Sequence, residues 1–234
     1  MLERRSLLTA LGVLAVARPA FAQTGAQTGA QADARAAAEM SGQAAPAPSA
    51  PGPSAVDRPR VVLLTSKGAI TLELRADKAP ITVANFLRYV DKKRFDGAAS
   101  FYRAARAPGA PTVGFIEGGL QNDPKRLLPP IAHESTTQTG LLHIDGAISM
   151  ARNAPGSATA DFFICSGPAP GLDANPQGAG DNLGFAVFGG VVDGMDVVRA
   201  ILASPTPGVA RNPVMAGQII DPPVPIITAR RAVA

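Results

Sequence analysis

Residues 60–90 read RVVLLTSKGAITLELRADKAPITVANFLRYV, and the hydrophobic period changes halfway along. In the stretch GAITLELR, Ile70, Leu72 and Leu74 fall on one side, and Thr71, Glu73 and Arg75 on the other. That alternation is the period of a half-buried strand. The preceding run, RVVLLTS, is also strand-like, and Lys67-Gly68 between the two predicts a two-residue hairpin. After Pro80 the spacing becomes i, i+3, i+4, i+7 at Val83, Phe86, Leu87 and Val90. This is the stripe of an amphipathic helix, with Thr82 as its N-cap. Such a helix covers a sheet edge or one end of a barrel.

Further along, short strand-like runs recur at irregular intervals: SFYRAA, TVGFIEG, GAISMAR, DFFICSG and FAVFGGVV. GMDVVRAILAS predicts a second helix, with Val197, Val198, Ile201 and Leu202 on one face and a stop before Pro205. The last run, PIITARRAV, can pair back with the first strands. About eight strands and two helices, without β-α-β alternation, imply a mainly β fold, an antiparallel barrel capped by helices. A chain of 234 residues with 22 Pro, 24 Gly and no Trp suits such a loop-rich barrel better than a helical bundle.

Upstream of Arg60 the composition is different. Met1–Ala22 has a charged n-region at Arg4-Arg5, an apolar h-region from Leu7 to Val16, and an Ala20-Phe21-Ala22 cleavage site, the pattern of a signal peptide. The h-region is too short to span a bilayer, so no stable membrane insertion is expected after cleavage. The paired arginines also resemble a twin-arginine signal. Export to the periplasm is therefore expected. Residues 23–59, opening on TGAQTGAQ and closing on APAPSAPGPSA, lack the large apolar side chains needed to offset ordering entropy and are expected to be a disordered linker. The folded domain is then 60–234. Cleavage removes three Arg and one Glu from a chain of net charge +4, which leaves +2 and gives little support to nucleic-acid binding. The single cysteine, Cys165, excludes an intrachain disulfide and is read as a small buried apolar residue.

Four segments, taken in order, resemble the cyclophilin-type peptidyl-prolyl isomerases of exported bacterial type. FDGAASFYR (95–103) is similar to the family's Phe-x-Gly…Phe-His-Arg, and GFIEGG (114–119) to Phe-Met-x-Gln-Gly-Gly. ISMARNAPGSATADFFI (148–164) is similar to Ser-Met-Ala-x…Gln-Phe-Phe-Ile. LDANPQGAGDNLGFAVFGGVVDGMDVV (172–198) resembles Leu-Asp…Val-Phe-Gly-x-Val and the helix after it. The resemblance implies a closed eight-stranded antiparallel barrel with two helices and a site on its outer face. It makes Arg103 the catalytic group, with Glu117 beside it. Tyr102, Phe115, Ala151, Phe163, Gly171, Leu172 and Phe185 form the substrate pocket, Phe163 as the floor and Leu172 as the aliphatic wall.

The sequence also departs from the family pattern. Glu117 replaces a glutamine, Tyr102 and Phe185 replace histidines, and Gly171 replaces a tryptophan whose indole N–H donates to the inhibitor cyclosporin. Gly114 falls where a pocket phenylalanine is usual, so that Phe115 is expected to slide toward its place. Residues 104–113 form a longer loop than the family has.

The chemistry implied needs no nucleophile, metal or cofactor. Rotation about a peptide bond faces a barrier of about 18–20 kcal/mol set by amide resonance. A guanidinium that donates to the prolyl nitrogen favours its pyramidal form, which exists only in the twisted state. The expected activity is therefore peptidyl-prolyl cis-trans isomerisation in exported proline-containing polypeptides, by a monomer. A cyclophilin-fold peptide-binding module or chaperone with little catalysis is the alternative, favoured by the altered aromatic and histidine positions. A carbohydrate-binding barrel lacks the tryptophan expected for sugar stacking.

Overall fold

The computed structural model describes residues 58–178 and 180–232. The expected signal peptide and all but the last two residues of the linker lie outside the described residues. Eight strands are present: β1 (Arg60–Thr65), β2 (Gly68–Leu74), β3 (Ser100–Ala107), β4 (Ala110–Gly119), β5 (Ala147–Met150), β6 (Phe162–Ser166), β7 (Ala186–Asp193) and β8 (Ile219–Arg231). They close into a barrel in the order β1-β2-β7-β5-β6-β4-β3-β8, with every pair antiparallel. Among the described residues three α-helices accompany them rather than two: α1 (Pro80–Asp91), the single turn α2 (Thr136–Thr139) and α3 (Met195–Leu202).

The period-2 and period-3.6 stripes read from the sequence are the surfaces that are buried. Ile70, Leu72 and Leu74 of β2 are fully inaccessible, as are Val61 and Leu63 of β1. Val83, Phe86, Leu87 and Val90 of α1 and Val197, Val198, Ile201 and Leu202 of α3 complete the same core. Aromatic rings fill its centre: Phe86 meets Phe162 edge-on at 5.4 Å and Phe188 at 5.3 Å.

Three local expectations are corrected. The first turn is Ser66-Lys67, one residue earlier than expected. Thr65 pairs with Gly68, and the Thr65 hydroxyl accepts from Lys67 N at 3.1 Å and donates to Gly68 O at 2.8 Å. A side-chain bond of this kind fixes where the turn falls. Thr82 is not the N-cap, because α1 starts at Pro80, whose missing N–H suits a first helical position. The N–H groups of Ile81 and Thr82, which lack partners within the helix, donate instead to the Glu134 carboxylate at 3.2 and 2.8 Å, a favourable charge for the positive end of a helix. Finally, residues 104–113 are not a free loop. β3 and β4 run on as a long hairpin that turns at Pro108-Gly109. Arg106 pins this extension to the end of α3, donating from Nε to Leu202 O at 2.8 Å and from Nη2 to Ser204 O.

Candidate active site

The cavity forms where the outer faces of β3, β4 and β6 meet the loops before β7 and β8. On β6, Phe162 and Ile164 point into the core, so Phe163 and Cys165 point out. With Ala147 and Val187 they make a second, smaller apolar cluster, on which Phe115, Ala151, Leu172 and Phe185 pack.

On β3 simple alternation would place Tyr102 and Arg103 on opposite faces. A bulge prevents this: pairing with β4 runs Phe101↔Gly118 and then Arg103↔Glu117, and the register with β8 shifts at the same point. Tyr102 is the extra residue. Phe101 and Ala104 on either side both face inward, so Tyr102 and Arg103 emerge together into the cavity.

The polar edge is one connected unit. Arg103 Nη1 donates to Glu117 Oε2 at 2.8 Å, and its Nε donates to Gln218 Oε1 at 2.8 Å. Tyr102 Oη donates to the other Glu117 oxygen at 3.0 Å. The Arg103 and Glu117 side chains are only 14% and 10% exposed, so this ion pair is largely withdrawn from water. Burial, with the Glu117 charge next to it, pushes the Tyr102 phenol up, which keeps it an O–H donor. The Arg103 guanidinium lies over the Phe115 ring, 5.1 Å from its centroid. Among the described residues Nη2 has no hydrogen-bond partner.

The apolar floor is Phe163, with Phe115 at 5.2 Å and Phe185 standing edge-on at 5.4 Å. The Arg152 guanidinium lies 5.2 Å from the Phe185 ring and is itself held by Asp181 at 2.8 and 2.9 Å. Beneath the floor the buried His143 ring stacks on Phe163 at 5.6 Å. His143 bridges Asp173 (Nδ1 to Oδ1, 2.6 Å) and Ser149 (Nε2 to Oγ, 3.0 Å). This serine–histidine–aspartate chain has the connectivity of a hydrolase relay, but Ser149 is fully inaccessible, so the chain is a support for the floor. Cys165 is equally sealed, and burial pushes its thiol up to about 12, which removes the thiolate a nucleophile would need.

The cavity, about 560 Å³, is lined by Tyr102, Arg103, Phe115, Glu117, Ala151, Phe163, Leu172 and Phe185, all expected from the sequence. Gly171 is not among the lining residues. It sits on the short turn Pro170–Leu172 at the rim, where a side chain would meet nothing within 4 Å. Phe115 stays in register opposite Cys165, with its ring against Phe163 and the Arg103 guanidinium. Gly114 before it has φ +151°, and a Cβ there would run into the Ala105 carbonyl, so this backbone excludes the usual phenylalanine.

Several residues of the site were missed in the sequence, Arg152 at Phe185 among them, and two more bear on its electrostatics. Asp161 lines the cavity, 4% exposed, and accepts from Gln121 N at 3.0 Å and Asn122 N at 3.1 Å. Burial raises its carboxyl to about 6. It stands immediately before Phe162-Phe163, where the family motif has glutamine, so the departure was visible. Gln218 belongs to no motif and reaches Arg103 across 115 residues of chain. Among the described residues no group of three or more His, Cys, Asp or Glu could hold a metal ion, and no helix is long and apolar enough to cross a membrane.

A family model for cyclophilin type peptidyl-prolyl cis-trans isomerase/CLD matches residues 60–224. The protein named peptidyl-prolyl cis-trans isomerase A of Dickeya dadantii is 38% identical over 154 residues, 64% of this chain and 75% of its own. Peptidyl-prolyl cis-trans isomerase B of Escherichia coli is 37% identical over 142 residues, 60% of this chain and 82% of its own. The fold is similar to the crystal structure of a cyclophilin type peptidyl-prolyl cis-trans isomerase from Cryptosporidium parvum. The TM-score is 0.59 at 17% identity, over 76% of this chain and 99% of that one.

Proposed function

Because the chain belongs to the cyclophilin-type peptidyl-prolyl cis-trans isomerase family, we propose that it accelerates X–Pro rotation in exported polypeptides, with Arg103 acting on the prolyl nitrogen. The observation that carries this is the position of Arg103. Its guanidinium is fixed at the edge of an apolar cavity floored by Phe163, and its Nη2 is left unengaged among the described residues.

The substrate proline ring rests on Phe163 between Phe115 and Leu172, and the acyl side turns. As the C–N bond twists, the nitrogen becomes pyramidal and gains a lone pair that can accept from a guanidinium N–H. The planar ground state offers no such acceptor, so this bond lowers the barrier without tightening ground-state binding. Placing that donor over an apolar floor, away from bulk water, strengthens it. Glu117 does not take the arginine away from substrate, because it engages Nη1 alone.

The site is complete within one chain, which supports action as a monomer. The n-, h- and c-regions of residues 1–22 support export to the periplasm, by the twin-arginine or the Sec route, with a mature N-terminus at Gln23. Isomerisation of an Ala-Pro tetrapeptide by the mature chain tests the activity. Peptide binding without acceleration would instead make the protein a binding module. Intact Met1 on protein recovered from the periplasm, or protein confined to the cytoplasm, would overturn the export proposal.

A further inference from the structure

We infer that Gln218 is a positioning residue for the catalytic arginine, holding the guanidinium so that Nη2 stays directed to substrate. This rests on the reading of Arg103 given above.

An arginine beside a carboxylate ordinarily forms a two-point fork, two parallel N–H···O bonds that occupy one edge of the guanidinium. Here the fork does not form. One Glu117 oxygen takes Nη1 and the other is taken by the Tyr102 hydroxyl, while Arg103 Nε is already spent on Gln218. Two anchors on different nitrogens fix both the position and the plane of a group that otherwise swings on a long, flexible stem. They leave Nη2 as the nitrogen without a partner among the described residues.

Gln218 is itself held in place at several points. Its backbone N–H donates to Met215 O at 3.0 Å, and its carbonyl accepts from Ala104 N, next to Arg103, at 2.8 Å. Its side-chain Nε2 donates to Val214 O at 3.2 Å. Because Val214 O can only accept and Arg103 Nε can only donate, the amide has one orientation that satisfies both. The turn Pro213–Met215 and the start of β8 therefore present a fixed neutral acceptor to Nε. Gln218 does not line the cavity, so it acts through Arg103.

The test compares Gln218→Met, similar in size but without the acceptor, with Gln218→Glu, which keeps it, in the mature chain. The backbone bonds of residue 218 are unchanged in both. Gln218→Met is expected to lower kcat roughly 3- to 10-fold, about the worth of one ordinary hydrogen bond since Glu117 still anchors Nη1, with KM within about twofold of wild type. Gln218→Glu keeps a partner for Nε but is expected to lower kcat as well, because a carboxylate there can take Nε and Nη2 together and so withdraw Nη2 from substrate. In NMR spectra the Arg103 Nε–H proton should lose its exchange protection in Gln218→Met and retain it in Gln218→Glu. Should Gln218→Met fail to fold, Gln218→Asn, which withdraws the acceptor by one methylene, takes its place with the same expected outcome. Wild-type kcat in the acceptor-free variant, or an Arg103 Nε–H as protected in Gln218→Met as in wild type, overturns the inference. Arg103→Ala serves as the control. If it is fully active, the reading of the site itself fails; if it is inactive while Gln218→Met is normal, only the role of Gln218 fails.

Discussion

Removing Arg103 has two separable consequences, and the structure gives the size of each. In catalysis, Arg103→Ala loses a charged donor that acts only in the twisted state. That should cost about 2.7–4 kcal/mol, or roughly 10²–10³ in kcat/KM. In folding, the same change strands Glu117, which is 7% exposed and keeps only the Tyr102 hydroxyl as a hydrogen-bond donor. Breaking a fully buried ion pair costs about 3–5 kcal/mol, and partial solvent access with one surviving bond reduces this to about 2–3 kcal/mol. For a domain of this size that lowers Tm by roughly 4–12 °C. A loss of activity in the single variant is thus open to the objection that the protein has loosened. Arg103→Ala/Glu117→Gln answers it. Neutralising residue 117 removes the stranded charge, so Tm should recover most of its loss while kcat/KM stays roughly 10²–10³ down. Glu117→Gln alone should keep kcat/KM within about twofold of wild type, since Glu117 engages only Nη1 and an amide oxygen at 117 can accept the same bond. Arg103→Lys should restore activity only in part, because an ammonium lacks the planar set of donors. The assay is Ala-Pro tetrapeptide isomerisation alongside thermal melts by circular dichroism. If the double variant melts like wild type and isomerises like it, Arg103 is not the catalytic group. If the double variant regains activity that Arg103→Ala has lost, the stranded carboxylate was the cause and the mechanism fails equally.

Asp161 should tilt the pH dependence of stability. Its folded pKa of about 6 lies above the 3.8 of an ordinary aspartate, so the folded state binds the extra proton and stability falls as pH rises through that window, by up to about 3 kcal/mol. Asp161→Asn should remove this slope, so urea unfolding of the two proteins at pH 4, 6 and 7.5 should diverge progressively, and a constant difference refutes the assignment. Buried His143 acts in the opposite sense: burial lowers its pKa below 6.5, so stability is lost as pH falls through the lowered value, and the wild-type minus variant difference cancels this contribution. Gly171→Trp has open space for its ring and should tighten cyclosporin binding by about 1–3 kcal/mol, or roughly 5- to 150-fold, in a competition assay. Nanomolar inhibition of the wild type would show that position 171 is not where the indole belongs.

The barrel and its two covering helices were legible because burial imposes a period, and the period is written in adjacent residues. Ile70, Leu72 and Leu74 alternate because a pleated strand has two faces, and Val83, Phe86, Leu87 and Val90 are spaced as one side of a helix. Features set by a distant partner were not legible. The start of α1 depends on Glu134, more than fifty residues on. The hairpin of β3 and β4 is anchored by Arg106 to carbonyls near residue 202. The bulge at Tyr102 follows from simultaneous pairing with β4 and β8, and without it alternation assigns Tyr102 and Arg103 to opposite faces. The site residues could therefore be named from motifs, but not the way two of them come to share one cavity.

Taken singly, the departures at 102 and 117 look like losses: a histidine gone from beside the arginine, a glutamine turned into an acid. In the fold they depend on one another. A carboxylate has two oxygens to satisfy, and buried beside a guanidinium it would claim two nitrogens if it could. Tyr102 occupies one oxygen with a phenol that burial keeps protonated, which limits Glu117 to a single nitrogen. Gln218 then takes Nε, so the neutral amide that the family has at 117 is supplied here from the far end of the chain. Under the proposed mechanism the acid at 117 is compatible with catalysis because these two neighbours restrict how it binds. A position-by-position comparison marks Glu117 as a defect, whereas the hydrogen-bond geometry makes it one part of a four-residue unit that leaves Nη2 for the substrate.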